Sequence, residues 1–141
     1  MQAMRILRAL AICLLLVTLG VVSAPAGAAS YDTHLTRAPY LTDLVGLHVI
    51  VNFATDQSGT VASVTYGSFD GTSCVLSSAQ SATRTTVKVG TVSEYQWKAP
   101  LALPSGGRYC YRVLLGGTDL LGTGDSPVFS TQAAAGSSQP F

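Results

Sequence analysis

Arg108-Tyr109-Cys110-Tyr111-Arg112-Val113-Leu114-Leu115 alternates with period two. Tyr109, Tyr111, Val113 and Leu115 fall on one face, and Arg108, Cys110, Arg112 and Leu114 on the other. Successive side chains of a strand point to opposite faces, so this run reads as a strand buried on one side and partly wet on the other. Gly106-Gly107 before it and Gly116-Gly117 after it supply turn chemistry at both ends. It is taken as a central strand of an all-β sandwich.

Working outward, Leu47 to Ala54 alternates in the same way, with Leu47, Val49, Val51 and Phe53 opposite His48, Ile50, Asn52 and Ala54. Asp56-Gln57-Ser58-Gly59 is a turn, and Val61 to Gly67 is the next strand, closed by Ser68-Phe69-Asp70-Gly71. Cys74-Val75-Leu76 starts a weak strand that dissolves into Ser, Ala and Gln, a composition suited to a sheet edge. Thr85 to Val89 and Glu94 to Ala99 flank the Gly90-Thr91 turn. Leu120-Leu121 and Val128 to Thr131 make a last strand interrupted at Gly122-Thr123-Gly124, a candidate bulge. Arg37 to Leu41 reads as a short extended segment, with Pro39 suited to an edge. Apolar residues nowhere recur at helical spacing over three turns beyond the N-terminal leader. About seven short antiparallel strands separated by turn signals are the pattern of an immunoglobulin-like or fibronectin-III-like sandwich.

The N-terminus has a different character. Arg5 and Arg8 precede an apolar run from Ala9 to Val22, and Ser23-Ala24-Pro25-Ala26-Gly27-Ala28-Ala29 follows. That order is the order of a secretory signal peptide, residues 1–29, with cleavage after Ala28 or Ala29. A membrane anchor is the competing reading; the run is short for a span and no charged stop-transfer flank follows. The expected product is therefore secreted, with no membrane attachment after cleavage. Residues 30–36 read as a loose polar leader and 37–132 as the sandwich.

Cleavage leaves six basic against seven acidic residues, a net charge of −1. That balance lacks the positive footprint that nucleic acid or an anionic membrane requires. Cys74 and Cys110 are the cysteines that remain. In an exported chain such a pair reads first as a disulfide. It would close a loop of about 36 residues; two separate thiols are the alternative. A zinc site is not supported, because two cysteines without a neighbouring histidine do not supply four ligands.

Five segments, in order, carry a resemblance. Arg37-Ala38-Pro39-Tyr40-Leu41, His48 to Asp56, Tyr66-Gly67, Pro104 followed by Tyr109-x-Tyr111-Arg112-Val113, and Ser126 to Thr131 resemble the fibronectin-type-III-like N-terminal domain of purple acid phosphatases and related secreted metallophosphoesterases. The resemblance covers roughly residues 36–141. The family commonly opens this domain with Arg-Gly-Pro-Tyr-Leu. It usually has Trp where Phe53 stands here, which leaves room for Trp97 to fill. One more residue than the family pattern separates Pro104 from the tyrosines. The resemblance implies that Tyr109 is the tyrosine-corner residue, its hydroxyl bonded to nearby backbone. It also implies that residues 133–141, ending Pro140-Phe141, are a linker stub toward a catalytic domain missing from this chain. A dinuclear metal centre would belong to that domain, whose activity is phosphate ester hydrolysis.

The chain itself offers little for catalysis. A dinuclear phosphoesterase needs several His, Asp and Asn ligands converging on two ions. This sequence has two histidines and one asparagine. His34 falls in the leader, and His48 on the wetter face of a strand. Serines are plentiful, but there is no Gly-x-Ser-x-Gly elbow. Asp119 and Asp125 flank Gly122-Thr123-Gly124 and read as turn residues rather than calcium ligands. No catalytic, cofactor or metal residue is therefore assigned. The expected function is that of a non-catalytic accessory domain whose partner is a metallophosphoesterase catalytic domain. The alternative is a free-standing adhesion or carbohydrate-binding module with an exposed Trp97 stacked on a polysaccharide; otherwise Trp97 joins Phe53, Tyr109 and Tyr111 as a structural residue.

Overall fold

The computed structural model describes residues 30–138 except Gly46 and Thr60. The expected signal peptide, the expected cleavage after Ala28 or Ala29, and Pro140-Phe141 lie outside the described residues. All regular structure within them is β. The strands are β1 (Leu35–Val45), β2 (His48–Thr55), β3 (Ala62–Phe69), β4 (Cys74–Ser81), β5 (Thr83–Val89), β6 (Val92–Ala102), β7 (Arg108–Leu115), β8 (Thr118–Asp119) and β9 (Val128–Ser130). They form two antiparallel sheets, ordered β1-β2-β6-β5 and β4-β3-β7-β8, with β9 also on β7. The chain changes sheet between β2 and β3, between β4 and β5, and between β6 and β7. The fold is thus the β-sandwich expected, with seven long strands and two short ones.

The period-two reading of β7 holds except at Cys110, which the alternation puts on the wetter face and which is buried. Tyr111, Val113 and Leu115 are buried, while Arg108 is exposed. They meet Ala62 and Val64 of β3, Val49, Val51 and Phe53 of β2, and Trp97, Ala99 and Leu101 of β6 in one core. Burying an aliphatic or Phe side chain contributes about 1.5–3 kcal/mol, so this layer is the main source of stability. Leu47, expected on the core face of β2, lies instead in the turn before the strand and is 51% exposed. Its neighbours Asn52 and Ala54 on the outer face are buried. Asn52 accepts this burial because its Nδ2 donates to Thr42 Oγ1 (2.9 Å) and to the Ile50 carbonyl.

Three elements differ from the sequence reading. Residues 32–36 are not a loose leader: the Asp32 amide donates to the Leu120 carbonyl, and β1 already begins at Leu35. β4 does not dissolve but runs to Ser81, because pairing with β3 supplies a ladder that its weak β-propensity does not advertise. The last strand is broken over residues 120–127 rather than at Gly122–Gly124 alone. Its halves β8 and β9 pair with opposite ends of β7, while Leu120 and Leu121 turn into the core. Pro100 lies inside β6, but beyond Lys98, the last residue paired to β5. There β6 has a neighbour on one side only, the setting a residue without an N–H tolerates.

Cys74 and Cys110 are joined, and their geometry reveals how the second sheet is curved. The two strands they sit on flank β3, a separation of roughly 9–10 Å in a flat sheet. Their Cα atoms are 5.9 Å apart, so the start of β4 folds over β3 toward β7. The bend has a local cause. Tyr66 pairs with Ser78 but Gly67 with Leu76, leaving Ser77 as a bulge residue. A Cβ on Gly67 would stand 1.7 Å from the Val75 carbonyl oxygen, so only glycine admits this approach. The turn before Cys74 is pinned by Asp70, which accepts from the Ser73 and Thr72 amides at 2.7 and 2.8 Å and from the Ser73 hydroxyl. Those bonds, Ser73's first, hold the Asp70 carboxyl below its ordinary range.

Candidate functional site

Trp97 is a core residue. It is 3% exposed, opposite Phe53 in the β2–β6 ladder, with the two rings stacked at 6.3 Å and 18°. Its indole N–H donates to Thr55 Oγ1 (2.9 Å), whose own hydroxyl donates to the Gln57 carbonyl (2.7 Å). The Arg84 guanidinium lies over the Tyr95 and Trp97 rings at 5.5 and 5.8 Å and donates to the Ser58 and Gly59 carbonyls. Phe53 therefore stands beside Trp97, in the room the sequence left for it. The stacking platform that an exposed Trp97 would offer is corrected by this burial.

Tyr109 and Tyr111 occupy the other sheet. The Tyr109 hydroxyl donates to the Pro104 carbonyl (3.3 Å), the bond expected of a tyrosine corner. Two partners of that corner were not read from sequence. Thr131 Oγ1 donates to the same Pro104 oxygen (2.9 Å) and accepts from the Gly107 amide (3.0 Å). Gly107 lies under the tyrosine: a Cβ there would stand 2.6 Å from the ring. The Gly-Gly pair was the available signal, but a glycine needed for a turn and one needed for a ring look alike. Tyr111 is buried with its ring edge-on to Phe129 at 6.0 Å. Burial pushes its hydroxyl up to about 12.

The titratable side chains are drawn into structural bonds. Asp119 accepts from Arg112 Nε (2.6 Å) and, through its other oxygen, from the Leu121 amide (2.9 Å). Arg112 also donates to the Gly122 and Gly124 carbonyls at 2.6 and 2.5 Å, clamping the break in the last strand. This is the turn role read for Asp119. Glu94 accepts from Gln96 (3.0 Å) and pairs with Arg37, and these two partners, Gln96 foremost, lower its carboxyl. His34, read as part of a loose leader, is held between Asp56 (3.0 Å at Nδ1) and Gln57 (3.0 Å at Nε2). His48 is exposed on the outer face, as expected. Among the described residues no three His, Cys, Asp or Glu side chains come together as a metal-ligand set.

The candidate site is a surface. At the end of the sandwich where β1 turns into β2, Leu44, Val45 (70% exposed) and Leu47 protrude. Leu47, Ser105, Gln132 and Ala133 to Ala135 line an open groove of about 360 Å³ beside them. The tyrosine corner sets its far wall: the Gly106 amide donates to the Gln132 carbonyl and Thr131 to Gly107. Sequence alternation missed this surface because it assigned Leu47 to the core. A second groove, near the disulfide, is lined by Phe69, Thr72, Arg112, Asp125, Ser126 and Val128.

The sequence matches no protein-family model. No curated protein sequence matches it either. Among solved structures it is similar to astrotactin-2, described as a conserved vertebrate-specific and perforin-like membrane protein involved in neuronal development. The identity is 16% and the TM-score 0.48, over 72% of this chain and 22% of that one. The chain thus spans about a fifth of that protein's length.

Proposed function

We propose that this chain is a secreted, non-catalytic accessory module that packs against a catalytic domain of the purple-acid-phosphatase type, whose activity is metal-dependent hydrolysis of phosphate esters. The observation that carries the reading is the exposed apolar end formed by Leu44, Val45 and Leu47, placed against the segment 132–135 along which the chain leaves the sandwich. A protruding apolar cluster beside an exit segment suits packing on a following domain. The five ordered sequence resemblances, with the bond from Tyr109 to Pro104, favour the family. The disulfide accords with export to an oxidising compartment.

The test adds the purified chain to a catalytic domain of that family and measures binding by calorimetry. Expected are saturable binding, its loss in Leu47→Asp, and no phosphatase turnover by the chain alone with iron, zinc or manganese. Metal-dependent turnover by the chain alone, or binding indifferent to Leu47→Asp, overturns the proposal. A polysaccharide titration that shifts Trp97 fluorescence would move the function to carbohydrate binding; the burial of Trp97 disfavours it.

A further inference from the structure

Two sheets have four edges, and in this chain three of them carry features that discourage pairing with another strand. β1 has Arg37, Pro39 and Asp43; β5 has Arg84 and Lys88. The β8/β9 edge consists of two short pieces separated by a loop. Charge, proline and shortness are the usual means of blunting an edge. β4 has none of them. It is eight residues long, its ladder partner among the described residues is β3 alone, and no charged residue occurs from Gly71 to Thr83.

We infer that β4 is a self-association edge, pairing antiparallel with β4 of a second copy of this chain about the Ser77-Ser78-Ala79 region. Self-pairing is selected by charge. In a two-fold antiparallel pair each residue meets its mirror position in the other copy, so β5 centred on Thr86 would set Arg84 against Lys88, a destabilising arrangement. β4 carries no charge and escapes that penalty in every register, whereas β1, also long, is interrupted by Pro39 and by three register shifts against β2. Val75 (52% exposed) and Leu76 (42%) lie to one side, where a second copy would cover them. The disulfide and the Asp70 turn fix the start of β4, so the edge is presented without further ordering. The bulge at Ser77 confines regular pairing to a few residues on either side and makes the dimer weak.

The experiment uses the exported chain with its disulfide intact, in sedimentation equilibrium over a wide concentration range. The expected result is a monomer–dimer equilibrium with Kd of about 10–100 µM, as befits an interface smaller than the standard size. Ser78→Lys should weaken it about tenfold or more, and Thr85→Lys on β5 should not. Where Ser78→Lys alters the circular dichroism, Ala79→Lys replaces it. Hydrogen exchange should slow at β4 amides, and not at β5 amides, as concentration rises. A monomer up to about 1 mM overturns the inference, as does a dimer indifferent to the lysine on a folded chain. A monomer whose β4 amides are protected by an added extended peptide assigns the edge to peptides and also overturns it.

Discussion

Gly67→Ala is the substitution with the most sharply defined expectation. The added Cβ would stand 1.7 Å from the Val75 carbonyl oxygen, 2.7 Å from its carbon and 3.0 Å from the Ser77 amide nitrogen. All three are backbone atoms, so no side-chain rotation relieves the contact. β4 must retreat from β3 by more than about 1 Å, beyond the reach of an N–H···O bond near 2.9 Å. Losing one or two ladder bonds costs about 1 kcal/mol each, and overpacking adds about 1–3 kcal/mol. The sum is about 3 kcal/mol, which for a domain of this size lowers Tm by roughly 10–15 °C. The same retreat draws Cys74 from Cys110, so thiol titration of the freshly folded variant should find a reduced fraction. Ser68→Ala, next along β3 and exposed, should stay within about 0.5 kcal/mol of the parent. A Gly67→Ala chain melting within a couple of degrees of the parent, fully bridged, would refute the account of how β4 is bent.

Replacing both Cys74 and Cys110 by serine should destabilise by about 4 kcal/mol, the loop-closure figure for the separation of 36 residues, read from denaturant midpoints. Thr55→Val should cost about 1–3 kcal/mol by leaving the buried Trp97 N–H without its acceptor, with a changed tryptophan emission spectrum as the accompanying sign. Tyr111 ties stability to alkaline pH. Its folded-state value is raised, so the stabilisation is complete below the unfolded value near 10 and is lost as pH rises from there toward about 12. Melts between pH 9 and 12 should therefore show a loss of about 2–3 kcal/mol that Tyr111→Phe largely removes. Tyr109→Phe should cost about 1 kcal/mol, whereas Gly107→Ala, which strikes the ring itself, should cost more.

The central layer was legible because alternation is a direct consequence of strand geometry. Val49, Val51, Phe53, Tyr111 and Val113 could be assigned to the core from period two alone. Cys74 and Cys110 could be paired because the leader at residues 1–29 made export the expectation, and there two thiols read first as a bridge. The length of β4 could not be read, since CVLSSAQS is held in the sheet by its partner and not by its own propensity. Nor could Leu47, which follows the alternation of β2 but lies one residue outside the strand, where the chain is turning. The grip of Arg112 on residues 119–124 was equally hidden, because a guanidinium contacting carbonyl oxygens leaves no pattern in the letters. The candidate surface is made from such turn and exit residues, and its visibility suffered accordingly.

The bond from Asp32 to Leu120 places the beginning of the sandwich near the ends of β2 and β7, whereas Gln132 leaves beside Gly106, next to their starts. Entry and exit are therefore at opposite poles, separated by the span of an eight-residue strand, about 27 Å. A module wired this way is a strut. Asp32 and Gln132 are kept apart by its length, and a pull on the two loads β1 against β2 lengthwise, so that its rungs are strained together and not one after another.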